Sequence, residues 1–288
     1  VLDAGTRRLA AAGFGSRSSW LTSSTVGGAS WFAHATLLSG LWVNNQQRYN
    51  TLVGSDRLTL NRAFHNAGWR TVAVMPGIFE DWPEGEFFGY DQVYGQAELG
   101  YRGPRMNWGR IPDQYALSVF QRLERTRADR APVMAEIALL SSHVPWTPVP
   151  TLLDWDRVGD GSVYEEFADD EELSESALRD PGRMRSAYPQ AVAYSLNTMI
   201  SYVETYGDDD LVFMFLGDHQ PARMITGEDA SADVPISIVA RDPAVLDRIS
   251  GWGWQDGLKP GPAAPVARMD TFRDRFLDTF GRPAPAAP

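Results

Sequence analysis

The apolar run Val212-Phe213-Met214-Phe215-Leu216, closed by Gly217-Asp218-His219, is the feature that most narrows what this chain can fold into. Five consecutive β-prone residues suit a strand buried on both faces, as in a parallel sheet, rather than one with a wet face. The carboxyl end of such a strand is where α/β folds bind ligands, so Asp218 and His219 arrive where a site is built. A carboxylate beside an imidazole suits a divalent metal. Alone, an Asp-His dipeptide is a weak sign.

A second stretch, Gly27-Gly28-Ala29-Ser30-Trp31-Phe32-Ala33-His34 through Leu37-Leu38-Ser39-Gly40, strengthens it. A glycine pair allows a tight turn, and the residues after it start a helix. Ser30 then sits where free amides and the helix dipole attract an anion, a suitable place for a nucleophile that attacks a phosphate or sulfate ester. The plain alternative is a Ser N-cap after a Gly-rich turn. Thr25, in the same Thr-x-Gly-Gly turn, is the second candidate nucleophile.

Composition sets limits. With 288 residues, 43% hydrophobic and 11% aromatic, the chain can bury a large core. Its net charge of −11 argues against nucleic acid or an anionic membrane surface as a tight partner. The absence of cysteine excludes disulfides and thiolate ligands, so a metal must use oxygen and nitrogen donors. No apolar run reaches the ~18 residues of a membrane span, and no signal peptide is visible. The first residue is Val1, so the expectation is a fragment of a longer chain.

On these residues the chain resembles the alkaline phosphatase and sulfatase superfamily, in particular its membrane-anchored branch, which includes lipoteichoic acid synthases and phosphoethanolamine transferases. The sulfatase motif C/S-x-P-x-R followed by L-L-T-G has the spacing of Ser30 and Leu37-Leu38-Ser39-Gly40, with Phe32 at its Pro position and His34 at its Arg position. Without that Pro and Arg, conversion to formylglycine is not expected, which favours a plain Ser alkoxide and phosphoryl chemistry over sulfate. Asp218 and His219 match the family's G-D-H metal pair. Ser141-Ser142-His143-Val144-Pro145-Trp146 is similar to its H-x-P segment, whose His contacts the ester. The resemblance runs from about Ser16 to Phe280.

The resemblance implies an α/β fold with a mostly parallel central sheet and helices on both faces. One sulfatase-like domain would span residues 1–281, followed by a Pro/Ala-rich tail at 282–288. The expected metal is manganese or zinc, with calcium or magnesium as alternatives, held by Asp218, His219 and Ser30. The family's remaining carboxylate ends a first strand expected upstream of Val1. Ser30 would attack phosphorus and form a phosphoryl-serine, with His143 hydrogen-bonding or protonating the departing oxygen. Water would complete hydrolysis, or a sugar or lipid hydroxyl would complete transfer. The substrate is a phosphate or sulfate ester, lipid-linked in one version, and the location extracytoplasmic, anchored by an upstream segment. A sulfuric ester hydrolase and a degenerate non-catalytic module are the rival readings.

Local signals place the remaining elements. Helices are expected over 2–12, 31–38, 58–67, 112–123, 187–206, 242–249 and 269–280, and buried strands over 71–75, 132–140 and 235–240. Residues 44–50 read as a polar solvated loop, and 79–108 as an irregular aromatic-rich segment. Within the latter, Phe87-Phe88-Gly89-Tyr90-Asp91-Gln92 is similar to a lipoteichoic acid synthase stretch that has Trp and Arg at the Phe88 and Tyr90 positions, which argues against a phosphoglycerol head group. His65, Arg102, Arg105, Arg110 and the acidic run over 158–181 read as surface. Asp113 reads as a helix-dipole partner.

Overall fold

The computed structural model describes residues 1–106, 111–128, 130–168 and 180–281. Trp108 and Arg110, Asp169 to Glu172 of the acidic run and the Pro/Ala tail lie outside them. The chain divides into two compact units, one comprising Leu2–Leu60 with Asp208–Pro288 and the other Asn61–Gly207 with Val1. Among the described residues the strands are β1 (Gly15–Thr22), β2 (Arg70–Val74), β3 (Gln92–Tyr94), β4 (Val133–Ile137), β5 (Val212–Leu216), β6 (Asp233–Ala240), β7 (Gln255–Asp256) and β8 (Val266–Arg268).

The first unit holds a five-stranded sheet in the order β5-β6-β1-β7, with β8 also on β1. β6 runs antiparallel to β1, from Gly15 opposite Ala240 to Thr22 opposite Asp233, and antiparallel to β5, from Val212 opposite Ala240 to Leu216 opposite Ile236. Only β8 is parallel to its neighbour. The second unit holds the parallel sheet β3-β2-β4. The expected mostly parallel central sheet is therefore corrected: the larger sheet is antiparallel and only the smaller one is parallel. The run of alternating strands and helices carries no information on direction, which non-local pairing decides.

β4 and β5 also differ from the buried strands expected. Each ends its sheet, and their residues are half-buried or exposed, whereas Val72, Ala73 and Val74 of β2 are fully buried between two neighbours. An apolar run shows that a strand is β-prone and apolar; the number of neighbours decides its burial.

Several local signals hold. Gly40 ends the Ser30–Ser39 helix in a left-handed conformation, its amide bonded to Thr36 O. Asp242 caps the Pro243–Arg248 helix through Ala244 N at 2.9 Å. The longest helix, Pro181–Tyr206, begins at Asp180, whose carboxylate accepts from Gly182 N and Arg183 N. Two segments read as loops are ordered instead. Residues 44–50 contain the start of a helix, Gln46–Val53, capped by Asn45. Residues 79–108 include helices Glu84–Phe88 and Gln96–Leu99 and strand β3. In the first case polar composition marks a solvent-facing helix, buried only through Tyr49 and Leu52.

Candidate active site

The unit that carries β1 and β5 brings two distant turns together. After β1, Ser23 Oγ donates to Asp218 O at 2.6 Å, Gly27 N donates to Gln220 O at 2.8 Å, and Val26 bridges Gln220 in parallel. These bonds fasten the turn before Ser30 to the turn after β5.

The first turn is conformationally demanding. Gly27, Gly28 and Ala29 have φ of 74°, 150° and 60°. Glycine meets the first two at little cost, but Ala29 occupies the left-handed region against the preference of its Cβ. Ala29 takes the N-cap position with no side-chain cap, and the helix begins at Ser30. Ser30 is thus not the N-cap, and its hydroxyl is directed elsewhere. The Thr25 hydroxyl is committed to Gly28 O at 2.6 Å, closing the turn. Thr36 on the next turn of the helix donates to Ser24 Oγ at 2.9 Å and accepts from Val43 N at 3.0 Å, holding helix and turn together.

Ser30 Oγ lies 3.2 Å from His219 Nε2. The His219 ring is oriented by its other nitrogen, since Nδ1 is 2.8 Å from Gln220 O. A carbonyl only accepts, so Nδ1 carries a proton, and Nε2 faces Ser30 and, at 3.4 Å, Asp218 Oδ2. Asp218 Oδ1 accepts the His219 amide at 2.9 Å, which pins the carboxylate. Burial pushes the Asp218 carboxyl up, but His219, His34 and the Ser30 hydroxyl outweigh it, and the group titrates below the usual carboxylate range. Three donors, carboxylate, imidazole and hydroxyl, thus converge on one point.

His34 joins this site unannounced. It stands four residues after Ser30 on the same helix face and acts electrostatically on Asp218. Sequence reading noted it only as the occupant of an Arg position; the i, i+4 spacing from Ser30 was the signal that marks it as a site residue.

The donor chemistry, oxygen and nitrogen without sulfur, fits a borderline or hard divalent ion. Asp218 and His219 supply only part of a ligand set, for among the described residues no group of three or more His, Cys, Asp or Glu is arranged to hold a metal.

His143 belongs to the other unit. It follows β4 in a turn where His143 N donates to Leu140 O and Nδ1 lies 2.6 Å from Val144 O. That turn is anchored by Asp113, whose Oδ1 accepts from Leu140 N at 2.9 Å and Ser141 N at 2.7 Å, while Ser195 Oγ donates to Oδ2 at 2.5 Å. Asp113 N donates back to Ser141 Oγ at 3.0 Å. Burial pushes the Asp113 carboxyl up despite these bonds. Its role therefore exceeds the helix-dipole partner expected: it fixes the turn that presents Ser142 and His143.

No protein-family model matches this sequence, and no curated protein matches it. Solved structures do. The lipoteichoic acid synthase LtaP from Listeria monocytogenes superposes with a TM-score of 0.62 at 14% identity, over 98% of this chain and 68% of that one. Phosphoglycerol transferase GacH from Streptococcus pyogenes, in complex with sn-glycerol-1-phosphate, gives 0.56 at 12%, over 91% and 64%. A protein of the alkaline phosphatase superfamily from Vibrio parahaemolyticus gives 0.50 at 14%, over 92% and 58%. At these identities the likeness is one of fold: the chain has the sulfatase-like fold of the alkaline phosphatase superfamily, and it spans 58–68% of these three chains.

Proposed function

We propose that this chain is the catalytic part of an enzyme that transfers phosphoryl or phosphodiester groups from phosphate esters, using Ser30 as nucleophile. The observation that carries this reading is the Ser30 hydroxyl, set by a strained turn 3.2 Å from Nε2 of His219 and beside the Asp218 carboxylate. The likeness to a lipoteichoic acid synthase and a phosphoglycerol transferase supports phosphoester chemistry as its class.

In the proposed reaction the Ser30 hydroxyl loses its proton to solvent, its oxygen bonds to phosphorus, and the ester oxygen leaves with its electron pair and takes up a proton, giving a phosphoryl-serine. Water or an acceptor hydroxyl then displaces the Ser30 oxygen and regenerates the hydroxyl. The amides that open the Ser30–Ser39 helix, apart from Phe32 N, which is bonded to Ala29 O at 2.9 Å, would stabilise the charge that the phosphoryl oxygens gain. A divalent ion, manganese or zinc in first place, held by Asp218, His219 and Ser30, would lower the pKa of the hydroxyl and neutralise phosphate charge. The carbonyl of Gln220 keeps His219 in the tautomer that leaves Nε2 available for that task. His143, as the group that contacts the ester, enters the proposal through the family resemblance alone.

An extracytoplasmic, membrane-anchored setting with a lipid-linked substrate belongs to the same proposal. Among the described residues no helix is long and apolar enough to cross a membrane. The test assays p-nitrophenyl phosphate, bis(p-nitrophenyl) phosphate and p-nitrophenyl sulfate in parallel, with manganese or zinc, for the parent and Ser30→Ala. Phosphoester turnover that Ser30→Ala abolishes supports the reading; wild-type turnover in that variant, or preference for the sulfate, sinks it.

A further inference from the structure

From Ser18 through Gln47 the chain carries no Asp, Glu, Lys or Arg, although charged residues make up 22% of the whole. This is the segment that contains Ser30. Its exposed surface is instead built from an indole, aliphatic side chains and primary amides. Trp31, the residue after Ser30, is 48% exposed, and Val26 and Leu41 are exposed as well. Asn44, Asn45, Gln46 and Gln47 follow, all exposed.

The indole is held in place. Trp31 Nε1 donates to Gln46 Oε1 at 3.3 Å, and Gln46 Nε2 in turn donates to Asn50 Oδ1 at 2.7 Å. The Trp31 ring meets Phe32 edge to face at 5.0 Å, and Phe32 leans on Tyr49 of the Gln46–Val53 helix. An exposed tryptophan fixed by two side-chain amides has already lost the freedom that a ligand would otherwise have to remove. Nearby cations are engaged elsewhere: Arg268 stacks over Trp42 and pairs with Asp270, and Arg48 donates to Trp42 O.

Charge-free amides beside a fixed indole select for a neutral, hydroxyl-rich ligand. Amides both donate and accept, as sugar hydroxyls do, and the C–H face of a pyranose lies flat on an aromatic surface. A second phosphate would call for Arg or Lys, and an amine for a carboxylate, neither of which this segment offers. We infer that Trp31, with the carboxamides opening the Gln46–Val53 helix, binds a neutral sugar ring of the substrate or acceptor beside Ser30. Successive side chains on a helix point about 100° apart, so the indole flanks the hydroxyl rather than covering it. The inference deepens the phosphoryl-transfer reading and rests on it for the role of the bound sugar.

The test is equilibrium binding, which does not require turnover. Maltotriose, chitotriose, mannotriose, phosphoethanolamine and glycerol 3-phosphate are titrated into the Ser30→Ala chain and followed by calorimetry and tryptophan fluorescence. At least one neutral trisaccharide should bind more tightly than either charged probe, with affinity unchanged by added salt. Trp31→Ala should weaken that binding tenfold or more, and Trp31→Phe by less than about threefold, since a smaller ring keeps most of the stacking. Should Trp31→Ala fail to fold, Gln46→Ala decides the matter by freeing the indole in place: threefold weakening supports the inference and unchanged binding overturns it. Absence of trisaccharide binding below about 10 mM, tighter binding of a charged probe, or equal affinity in Trp31→Ala also overturns it. A failed sugar site leaves turnover of p-nitrophenyl phosphate intact, whereas failed phosphoryl transfer leaves the sugar titration intact.

Discussion

The hydroxyl of Ser30 lies 3.2 Å from Nε2 of His219, although 189 positions separate the two residues. The contact is maintained by bonds outside the pair's own side chains, because Gly27 N and Ser23 Oγ donate to the carbonyls of Gln220 and Asp218. Their hydrogen bonds hold the pair whether or not Ser30 keeps its side chain, so variants at the site should fold.

His219→Ala removes the ring nitrogen that lies 3.2 Å from Ser30 Oγ without touching those hydrogen bonds. Turnover of p-nitrophenyl phosphate should fall by about 100-fold or more, and calorimetric titration with manganese or zinc should lose its heat. A variant that keeps both would show that His219 is a bystander.

Ala29 and Gly27 should respond in opposite directions. Ala29 holds a left-handed backbone at φ 60°. Ala29→Gly should therefore raise stability by about 0.5–1 kcal/mol, relief of strain exceeding the added freedom of the unfolded chain. Gly27 has φ 74°, and a Cβ there would come within 3.3 Å of Ala222 Cα. Gly27→Ala should cost about 1–2 kcal/mol. Denaturant melts of the two variants measure both signs.

In the other unit Glu124 is fully buried, accepts two bonds from Arg70 at 2.7 and 2.8 Å, and takes the Tyr94 hydroxyl at 2.5 Å. Glu124→Ala leaves the guanidinium without its partner and should cost about 3 kcal/mol. The double variant Arg70→Leu with Glu124→Leu should recover much of that loss, because it removes both charges together. A double-mutant cycle in urea reads the coupling.

The same unit should weaken in acid. Burial pushes the Glu124 carboxyl up, but Arg70 and Tyr94 outweigh it and hold it below its ordinary 4.5. Burial also raises Asp91, and the Thr71 amide and hydroxyl and His65 outweigh it, holding it below 3.8. For depressed carboxylates the stabilisation is complete above the unfolded values and lost as pH falls through the folded ones. Melting temperature should thus be level just above pH 5 and drop progressively below about 4.5, less steeply in Glu124→Gln.

Asp113→Ala would orphan the amides of Leu140 and Ser141 and the Ser195 hydroxyl, at a cost of about 3 kcal/mol. Asp113→Asn should cost far less, because its carbonyl oxygen still accepts both amides while Ser195 turns to accept from the new amide. Because burial raises the Asp113 carboxyl, the native group favours the folded state less as pH rises through its range, and Asp113→Asn should flatten that dependence. Chemical denaturation over a pH series that starts below its ordinary 3.8 checks it.

What could be read without coordinates was local. Gly40 after Leu37-Leu38 marked the end of one helix, and Asp242-Pro243 the start of another, because caps and breakers act on their own few residues. The Ser30 motif and the Asp218-His219 pair were visible as types and spacings, and the structure brings those three side chains together. His143 was legible as a resembling motif and as a His beside two hydroxyl residues at the carboxyl end of an expected strand.

Everything that depends on which strands meet was decided by tertiary structure. The apolar run of β5 is consistent with a parallel core strand or an antiparallel edge strand, since both demand the same β-prone residues. Only hydrogen bonds to β6 choose between them. Asp113 looks the same in sequence whether it complements a dipole or anchors the Leu140–Ser141 turn, because its partners lie 27, 28 and 82 positions away. Sequence determines what a residue is able to bond with over a few neighbours; the closure of long loops determines which bond it makes.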